Sequence, residues 1–400
     1  MFSSDVMLEI ISWLPIRSVL RFKSVCKLWH SIISDPYFIS THTCRRLDQQ
    51  HAVTEIIFSV EGSSFYCSLN NGVDDAQAAH LLPHPSFFNT LEQTVSITHT
   101  SYEMDEISEA SSLDDISYEM NEISEASYLD GLQLYPLLIP SDKNMMFYIY
   151  NLITMDFKQI PMPKPELDFL ESYPIRMVLV PYNCIIMLEH ACIENNRSEC
   201  LVRSYSFQIG EWENCGKSYV HEGWFPYGGG VFWNGYVHWT SSIKANNKLV
   251  IKSFNIKNYE WREIQLPKRY EGMRLDPLYL GESRDHLHLI VAKGSYLVFD
   301  ILELAKDFSK WSFLYHVNFE EASIRPVIYY PSESWSLNIF RGTRKEDDKL
   351  FFYNESKIVL YNLMDKTMRE VVPNVEGFST YLQPYAGVAT YRPTLAFPSN

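Results

Sequence analysis

The sequence predicts a mainly β protein: a small three-helix head followed by a β-propeller-like domain of six blades. Three observations carry this reading. Residues 4–40 place apolar side chains at helical spacing, and from about residue 45 the spacing drops to two. One strand–turn–strand unit then recurs six times, at intervals that suit four-stranded blades.

In the head, Ser4 and Asp5 offer an N-cap ahead of Val6-Met7-Leu8-Glu9-Ile10-Ile11. Pro15 breaks that helix and can start the next, because it lacks an N–H and its ring fixes φ. Val19, Leu20 and Phe22 continue an apolar face. Val25, Leu28, Trp29, Ile32 and Ile33 then fall at i, i+3, i+4, i+7 and i+8, an amphipathic stripe that Asp35-Pro36 ends. Three helices this short make too small a core to be very stable alone. The head is therefore expected to bury its remaining apolar surface against a partner.

The recurring β unit occupies residues 55–71, 147–161, 202–216, 251–267, 296–317 and 358–373. Taking Tyr150, Phe207, Phe254, Phe299 and Tyr361 as equivalent points gives steps of 57, 47, 45 and 62 residues. Asn234-Gly235 lies between the apolar runs 231–233 and 236–239, the signature of a type I′ hairpin. The segment 378–388 is expected to return and pair with the first blade.

Charge is concentrated in one place. The 400-residue chain has a formal charge of −15. Residues 101–131 hold ten of its 49 acidic groups and none of its 34 basic ones. The remainder is nearly neutral, at 34 basic against 39 acidic. This stretch is a tandem duplication, SYEMDEISEASSLDDI followed by SYEMNEISEASYLDGL, identical at twelve of sixteen positions. Its composition predicts a solvated loop or a short acidic helix pair, an insert at 101–132. The overall balance argues against nucleic acid as a partner, since phosphate binding needs Lys and Arg to displace counterions. No run approaches the ~18 apolar residues of a membrane helix.

Searching for chemistry yields structural readings. The seven cysteines contain no Cys-x-x-Cys pair and read as reduced thiols, which places the protein in the cytoplasm or nucleus. Gly281-Glu-Ser-Arg-Asp starts like a nucleophile elbow, but Asp285 stands where Gly is required. Gly228–Gly230 lacks the spacing of a phosphate loop. His286 and His288 would share one face of a strand with no third metal ligand identifiable from the sequence. Asp347-Asp348 reads as part of a mixed-charge surface loop. Trp224, Phe225 and Tyr227 form a ring-rich segment that suits either target binding or packing between blades. We therefore expect no catalytic residue, no metal and no cofactor.

The stretch from Asp5 to His42 carries the function. Its matching pieces are Asp5-Val6 with Glu9-Ile10, Leu14-Pro15, Ser18-Val19-Leu20-Arg21-Phe22-Lys23, Val25-Cys26-Lys27-Leu28-Trp29, and Ile33-Ser34-Asp35-Pro36-Tyr37-Phe38. In order and spacing these resemble the plant F-box motif, with Phe2-Ser3 where the family usually has Leu-Pro. The remainder resembles the kelch-like F-box-associated domain, through residues 229–239, Ser253-Phe254-Asn255 with Trp261-Arg262-Glu263-Ile264, Val298-Phe299-Asp300, and Val359-Leu360-Tyr361-Asn362.

The resemblance implies two domains, an F-box at 1–44 and an F-box-associated domain at 45–400. It implies a non-catalytic substrate receptor of an SCF-type ubiquitin ligase, bound to a Skp-type adaptor and through it to a cullin. Leu14, Pro15, Ile16, Val19 and Leu20 would form the adaptor-covered surface. Val25, Cys26 and Trp29 complete the adaptor-binding set, with Val25, Leu28 and Trp29 packing the helices together. The rival readings are an F-box scaffold acting outside a ligase and a propeller hydrolase with a vestigial head.

Overall fold

The computed structural model describes residues 4–14, 16–35, 37–39, 41–42, 45, 55–60, 63–68, 78–81, 127–129, 132–139, 144–151, 154, 156–163, 176–180, 184–193, 197–216, 219–222, 230–243, 248–320, 336–342, 344–354, 357–373 and 388–390. Three helices come first: α1 (Ser4–Ser12), α2 (Ile16–Lys23) and α3 (Lys27–Ile33). Further helical residues follow at 37–39 and 41–42, and beyond them the regular elements are strands apart from two short 3-10 turns, Lys268–Tyr270 and Lys345–Asp347.

The strands form antiparallel sheets in chain order. β1 (Glu55–Val60), β2 (Ser63–Ser68) and β3 (Ala78–Leu81) begin the first. The second holds β4 (Ser127–Leu129), β5 (Leu132–Ile139), β6 (Asn144–Asn151) and β7 (Phe157–Ile160). The third holds β8 (Arg176–Val180), β9 (Cys184–Ile193), β10 (Arg197–Ser206) and β11 (Glu211–Asn214), with β12 (Tyr219–Glu222) paired to the other end of β10.

The fourth is β13 (Val231–Trp233), β14 (Tyr236–Ile243), β15 (Lys248–Asn255) and β16 (Trp261–Gln265). The fifth is β17 (Asp276–Ser283), β18 (His286–Ala292), β19 (Val298–Leu304) and β20 (Trp311–Asn318). The sixth is β21 (Ser336–Phe340), β22 (Lys349–Asn354), β23 (Lys357–Asn362) and β24 (Met368–Pro373).

A last strand, β25 (Val388–Thr390), pairs antiparallel with β1 and gives the first sheet its fourth strand. The return expected for 378–388 is found at 388–390; residues 378–387 lie outside the described residues. These are six propeller-like blades, four-stranded except that the third adds β12. The first strand of each blade from the second to the sixth lies beside the first strand of the next, and β21 lies beside β25. A short parallel pairing of β24 with β3 joins the sixth blade to the first.

The cores lie between blades. Strand period two sends alternate side chains to opposite faces. On β8, Met177 and Leu179 pack toward the second blade, while Val178 and Val180 pack toward the fourth. On β18, Leu287, Leu289 and Val291 face the fourth blade, and Ile290 and Ala292 face the sixth. A strand covered on both faces buries consecutive residues, as β15 does over 249–254 and β18 over 287–292, in stretches that are mostly apolar.

The recurring unit is the third strand, its turn and the fourth strand, except in the first blade, where it is β1–β2. The register corrects the expected equivalences. The residues facing across the closing end of each turn are Tyr150↔Phe157, Tyr205↔Trp212, Phe254↔Trp261, Leu304↔Trp311 and Tyr361↔Met368. Steps between the first members are 55, 49, 50 and 57 residues, more regular than those from Phe207 and Phe299. Phe207 lies beyond the end of β10, and Phe299 lies near the start of β19.

Three of these turns are built on asparagine. The Oδ1 atoms of Asn151, Asn255 and Asn362 accept the amides of Thr154 (3.1 Å), Lys257 (2.8 Å) and Met364 (2.8 Å). Such Asx turns fix the chain reversal with one side chain. Four residues past the Asn, Tyr259 and Lys366 take positive φ, 62° and 60°. Gly210 occupies the same place after Ser206, with φ 80°. An L side chain there costs ~1–2 kcal/mol, partly offset by glycine's larger unfolded entropy. The exposed Lys366→Gly is therefore expected to raise stability by ~0.5–1 kcal/mol, read as a higher urea midpoint at unchanged m-value.

The hairpin between β13 and β14 is as the sequence predicts, with Asn234 at φ 51° and Gly235 at φ 82°. Behind it lies His238, fully buried. Its Nε2 is 3.1 Å from the Trp233 carbonyl, which can only accept, so Nε2 carries the proton. Nδ1, 2.7 Å away, then accepts from the Ser253 hydroxyl. Burial lowers its pKa from 6.5 to about 4, and the Arg262 charge acts the same way. The unfolded histidine thus takes its proton at a higher pH than the folded one. Stability is lost as pH falls from 6.5 toward 4, at ~1.4 kcal/mol per unit. A loss of ~2 kcal/mol at pH 5 is expected, and His238→Gln should flatten that slope in urea titrations.

Candidate functional site

The head folds on Ile11, Ile16, Val19, Ile33 and Phe38, all buried, with Leu8, Leu14, Leu20, Trp29 and Ile39 packed around them. This divides the expected adaptor set. Ile16 and Val19 are 3% and 0% exposed. They hold α2 onto its neighbours and do not belong to an outer surface. The packing role expected of Val25 and Leu28 is also corrected, since they are 65% and 57% exposed. Leu14, Leu20 and Trp29 are half-buried, Cys26 is exposed, and Pro15 lies outside the described residues.

Two apolar stripes result. Phe22 stacks on Trp29 at 5.3 Å, and Val25 and Leu28 stand out beside them at the α2–α3 corner. On α1 and the turn that follows it, Val6, Ile10 and Trp13 are exposed at i, i+4 and i+7. The sequence reading missed this second ridge, although its spacing is visible beside Leu8 and Ile11, which face inward. Arg45 covers one end: its guanidinium lies 4.8 Å from the Trp13 ring and 2.7 Å from Glu9 Oε2. The hydrogen bonds from Arg45 and Trp13 lower the Glu9 pKa. His42, buried, is 3.0 Å from the Leu14 carbonyl and ties the last helical turn to the α1–α2 corner.

The blades hold a second polar constellation, around the two histidines and two aspartates singled out above. His288 is buried, with Nε2 3.2 Å from Glu303 Oε2. His286 Nδ1 lies 3.8 Å from Glu303 Oε1. Glu303 is the carboxylate that sequence could not place, contributed by the neighbouring strand β19. It is already committed, because the Arg341 guanidinium bonds to Oε2. Arg341 Nε lies 2.9 Å from Asp348 Oδ2. Asp348 also accepts from Tyr315 Oη (2.7 Å) and the Gly342 amide (2.9 Å).

Asp348 is fully buried, which corrects its assignment to a surface loop. Burial raises the Glu303 pKa, but the His288 hydrogen bond and the His288 and Arg341 charges outweigh it and bring it to about 2. Burial lowers that of His288. The Arg341 guanidinium lies against both Glu303 and His288, 3.4 Å from His288 Nε2, and no metal-holding cluster occurs among the described residues. Ser283, the residue of the elbow-like motif, is buried and accepts the Arg341 amide at 2.9 Å, so it is not a poised nucleophile. The constellation joins the fifth blade to the sixth. Trp224, Phe225 and Tyr227 lie outside the described residues, as does the acidic duplication up to residue 126. The end of its second copy is β4 and the start of β5, a correction to the loop or helix expected there.

Comparisons with known proteins agree with the head. Residues 2–41 match the family model of the F-box domain. The chain is 24% identical over 392 residues to F-box protein At5g07610 of Arabidopsis thaliana, covering 92% of this chain and 84% of that protein. It is 49% identical over 49 residues to putative F-box protein At1g47790 of the same plant, 12% of this chain and 13% of that one. Among solved structures, TolB from Acinetobacter baumannii covers 88% of this chain and 72% of its own, at 8% identity and a TM-score of 0.41. The chain thus carries an N-terminal F-box domain ahead of a mainly β region, and it is similar over most of its length to a plant F-box protein.

Proposed function

We propose that this protein is a substrate-recognition subunit of an SCF-type ubiquitin ligase, acting in the cytoplasm or nucleus. The F-box docks on a Skp-type adaptor held by a cullin, and the kelch-like β domain at 45–400 presents a target protein. The observation that supports this most is the uncovered apolar surface within the segment matching the F-box model. Phe22, Val25, Leu28 and Trp29 on one side, and Val6, Ile10 and Trp13 on another, are more apolar surface than so small a domain leaves uncovered without a partner. The proposed adaptor set is Leu14, Pro15, Leu20, Val25, Cys26 and Trp29, joined by Phe22 and Leu28. Ile16 and Val19 support it from beneath.

The chain does no chemistry in this reading. It raises the local concentration of a target beside the ubiquitin-carrying enzyme. Two measurements test it in sequence. The full chain is co-expressed with a Skp-type adaptor and cullin, and a stable complex is expected by gel filtration. The complex is then supplied with ubiquitin and its activating and conjugating enzymes. Transfer to a co-purifying protein supports the receptor role. A stable adaptor complex that ubiquitinates nothing it captures would favour the scaffold reading.

A further inference from the structure

Asp300 lies on β19, on the side facing the fourth blade, and is buried. Its two oxygens face an excess of positive charge. Oδ2 is 2.6 Å from Tyr270 Oη, 2.7 Å from Lys293 Nζ and 3.6 Å from Arg269 Nη2, and Oδ1 is 2.7 Å from His316 Nδ1. One carboxylate thus balances two permanent cations, leaving +1, with a histidine beside them. The connection that supplies Arg269 and Tyr270 adds Lys268 and Arg274 against Glu271 and Asp276. This positive spot belongs to a chain of net charge −15.

The cations are held in place yet reachable. The Arg269 guanidinium lies 4.6 Å from the Tyr270 ring centre and 4.3 Å from that of Phe313. Two rings fix it while its bond to Tyr270 Oη uses one nitrogen. A guanidinium has five donors, so most of its fork is free to bind an oxyanion. The Arg269 and His316 side chains are 45% and 47% exposed, and Lys293 is half-buried. Phe313 is an exposed apolar wall beside them.

We propose that Arg269, Lys293 and His316 form a subsite for an oxyanion, carboxylate or phosphate, carried by an acidic peptide segment of the target. The inference rests on the receptor reading for the identity of the ligand as a protein. The buried Asp300 pre-orients the three donors, and the incoming anion completes their neutralisation. This grouping is not visible in the sequence, since its residues come from two connections and two strands spread over 48 residues.

The test uses the full chain and three fluorescein-labelled peptides of one Gly/Ser sequence, with serine, glutamate or phosphoserine at its centre. Binding by anisotropy is expected for at least one anionic peptide, and at least tenfold weaker for the serine peptide. Binding to phosphoserine and not glutamate assigns the site to phosphate; equal binding assigns it to any oxyanion. Arg269→Gln and Lys293→Gln should each weaken binding at least tenfold, with Arg269→Lys intermediate because it keeps charge without the fork. Arg344→Gln, which removes an exposed cation from the fifth blade's neighbour, should change nothing. No binding by either anionic peptide overturns the proposal, as does equal weakening by Arg344→Gln. Retained adaptor capture certifies the head of each variant and a wild-type thermal midpoint its blades. Loss of adaptor capture by the wild type would sink the receptor reading while leaving peptide binding as a separate result.

Discussion

A chain carrying Val25→Asp and Leu28→Asp is expected to lose capture of a Skp-type adaptor, by at least a hundredfold, while melting at the wild-type temperature. Both side chains are mostly exposed and lie outside the head's core cluster, so replacing them leaves that cluster intact. Exposed substitutions of this kind usually change stability by less than ~0.5 kcal/mol. In a complex, burying each side chain would contribute ~1.5–3 kcal/mol, and the pair ~3–6 kcal/mol. That range is ~10²–10⁴ in affinity. Each new carboxylate would also have to lose its water on docking. Surface plasmon resonance against an immobilised adaptor measures the loss, and circular dichroism melts check the fold.

The contrasting variant is Val19→Asp. It sits within the core, 0% exposed, and its effect on adaptor binding would come with unfolding of the head. Retained affinity in the Val25/Leu28 double variant would mean that the adaptor docks elsewhere. The α1 ridge of Val6, Ile10 and Trp13 would then take its place, and Ile10→Asp would be the variant that fails.

How much of this was legible in the sequence follows from the range of the interactions. The head's helices and the Asn234-Gly235 hairpin are set by neighbours a few residues apart, and both were readable. The blade count was readable because each third strand, turn and fourth strand form a local unit. The choice of equivalent points was less so. Leu304 lacks the ring that marks the other four positions, which drew the eye to Phe299, five residues earlier. Which of Ile16, Val19, Val25 and Leu28 turns inward is decided by the packing of three helices, and a single stripe cannot settle it. Long-range polar groupings left no trace. Glu303, Arg341 and Asp348 are spread over 46 residues and two blades, and Asp348 looks like any acid in a charged loop until its partners arrive.

That burial makes Asp348→Ala a strongly damaging substitution, at ~3–5 kcal/mol. The carboxylate accepts from a tyrosine hydroxyl and a backbone amide and pairs with the charge of a guanidinium. Alanine leaves both donors without their acceptor and takes away one of the guanidinium's two carboxylates. A buried donor left without its acceptor costs ~1–3 kcal/mol, and breaking one side of a buried ion pair ~3–5 kcal/mol. The total stays near the upper single-site value because Arg341 keeps Glu303. The turn itself also depends on this carboxylate. Gly342 lies so close to Asp347 that a Cβ there would collide with it, so these two residues have little room to move apart from one another.

Asp348→Asn separates charge from hydrogen bonding, since it keeps an acceptor oxygen. It should lose about half as much. If Arg341 acts through Asp348, Arg341→Met and Asp348→Ala together will cost less than the sum of the two, by ~1–3 kcal/mol. Urea unfolding of the four proteins completes the cycle. Strict additivity would show that the two residues stabilise the fifth and sixth blades independently, and that the clamp drawn by their 2.9 Å contact carries no energy of its own.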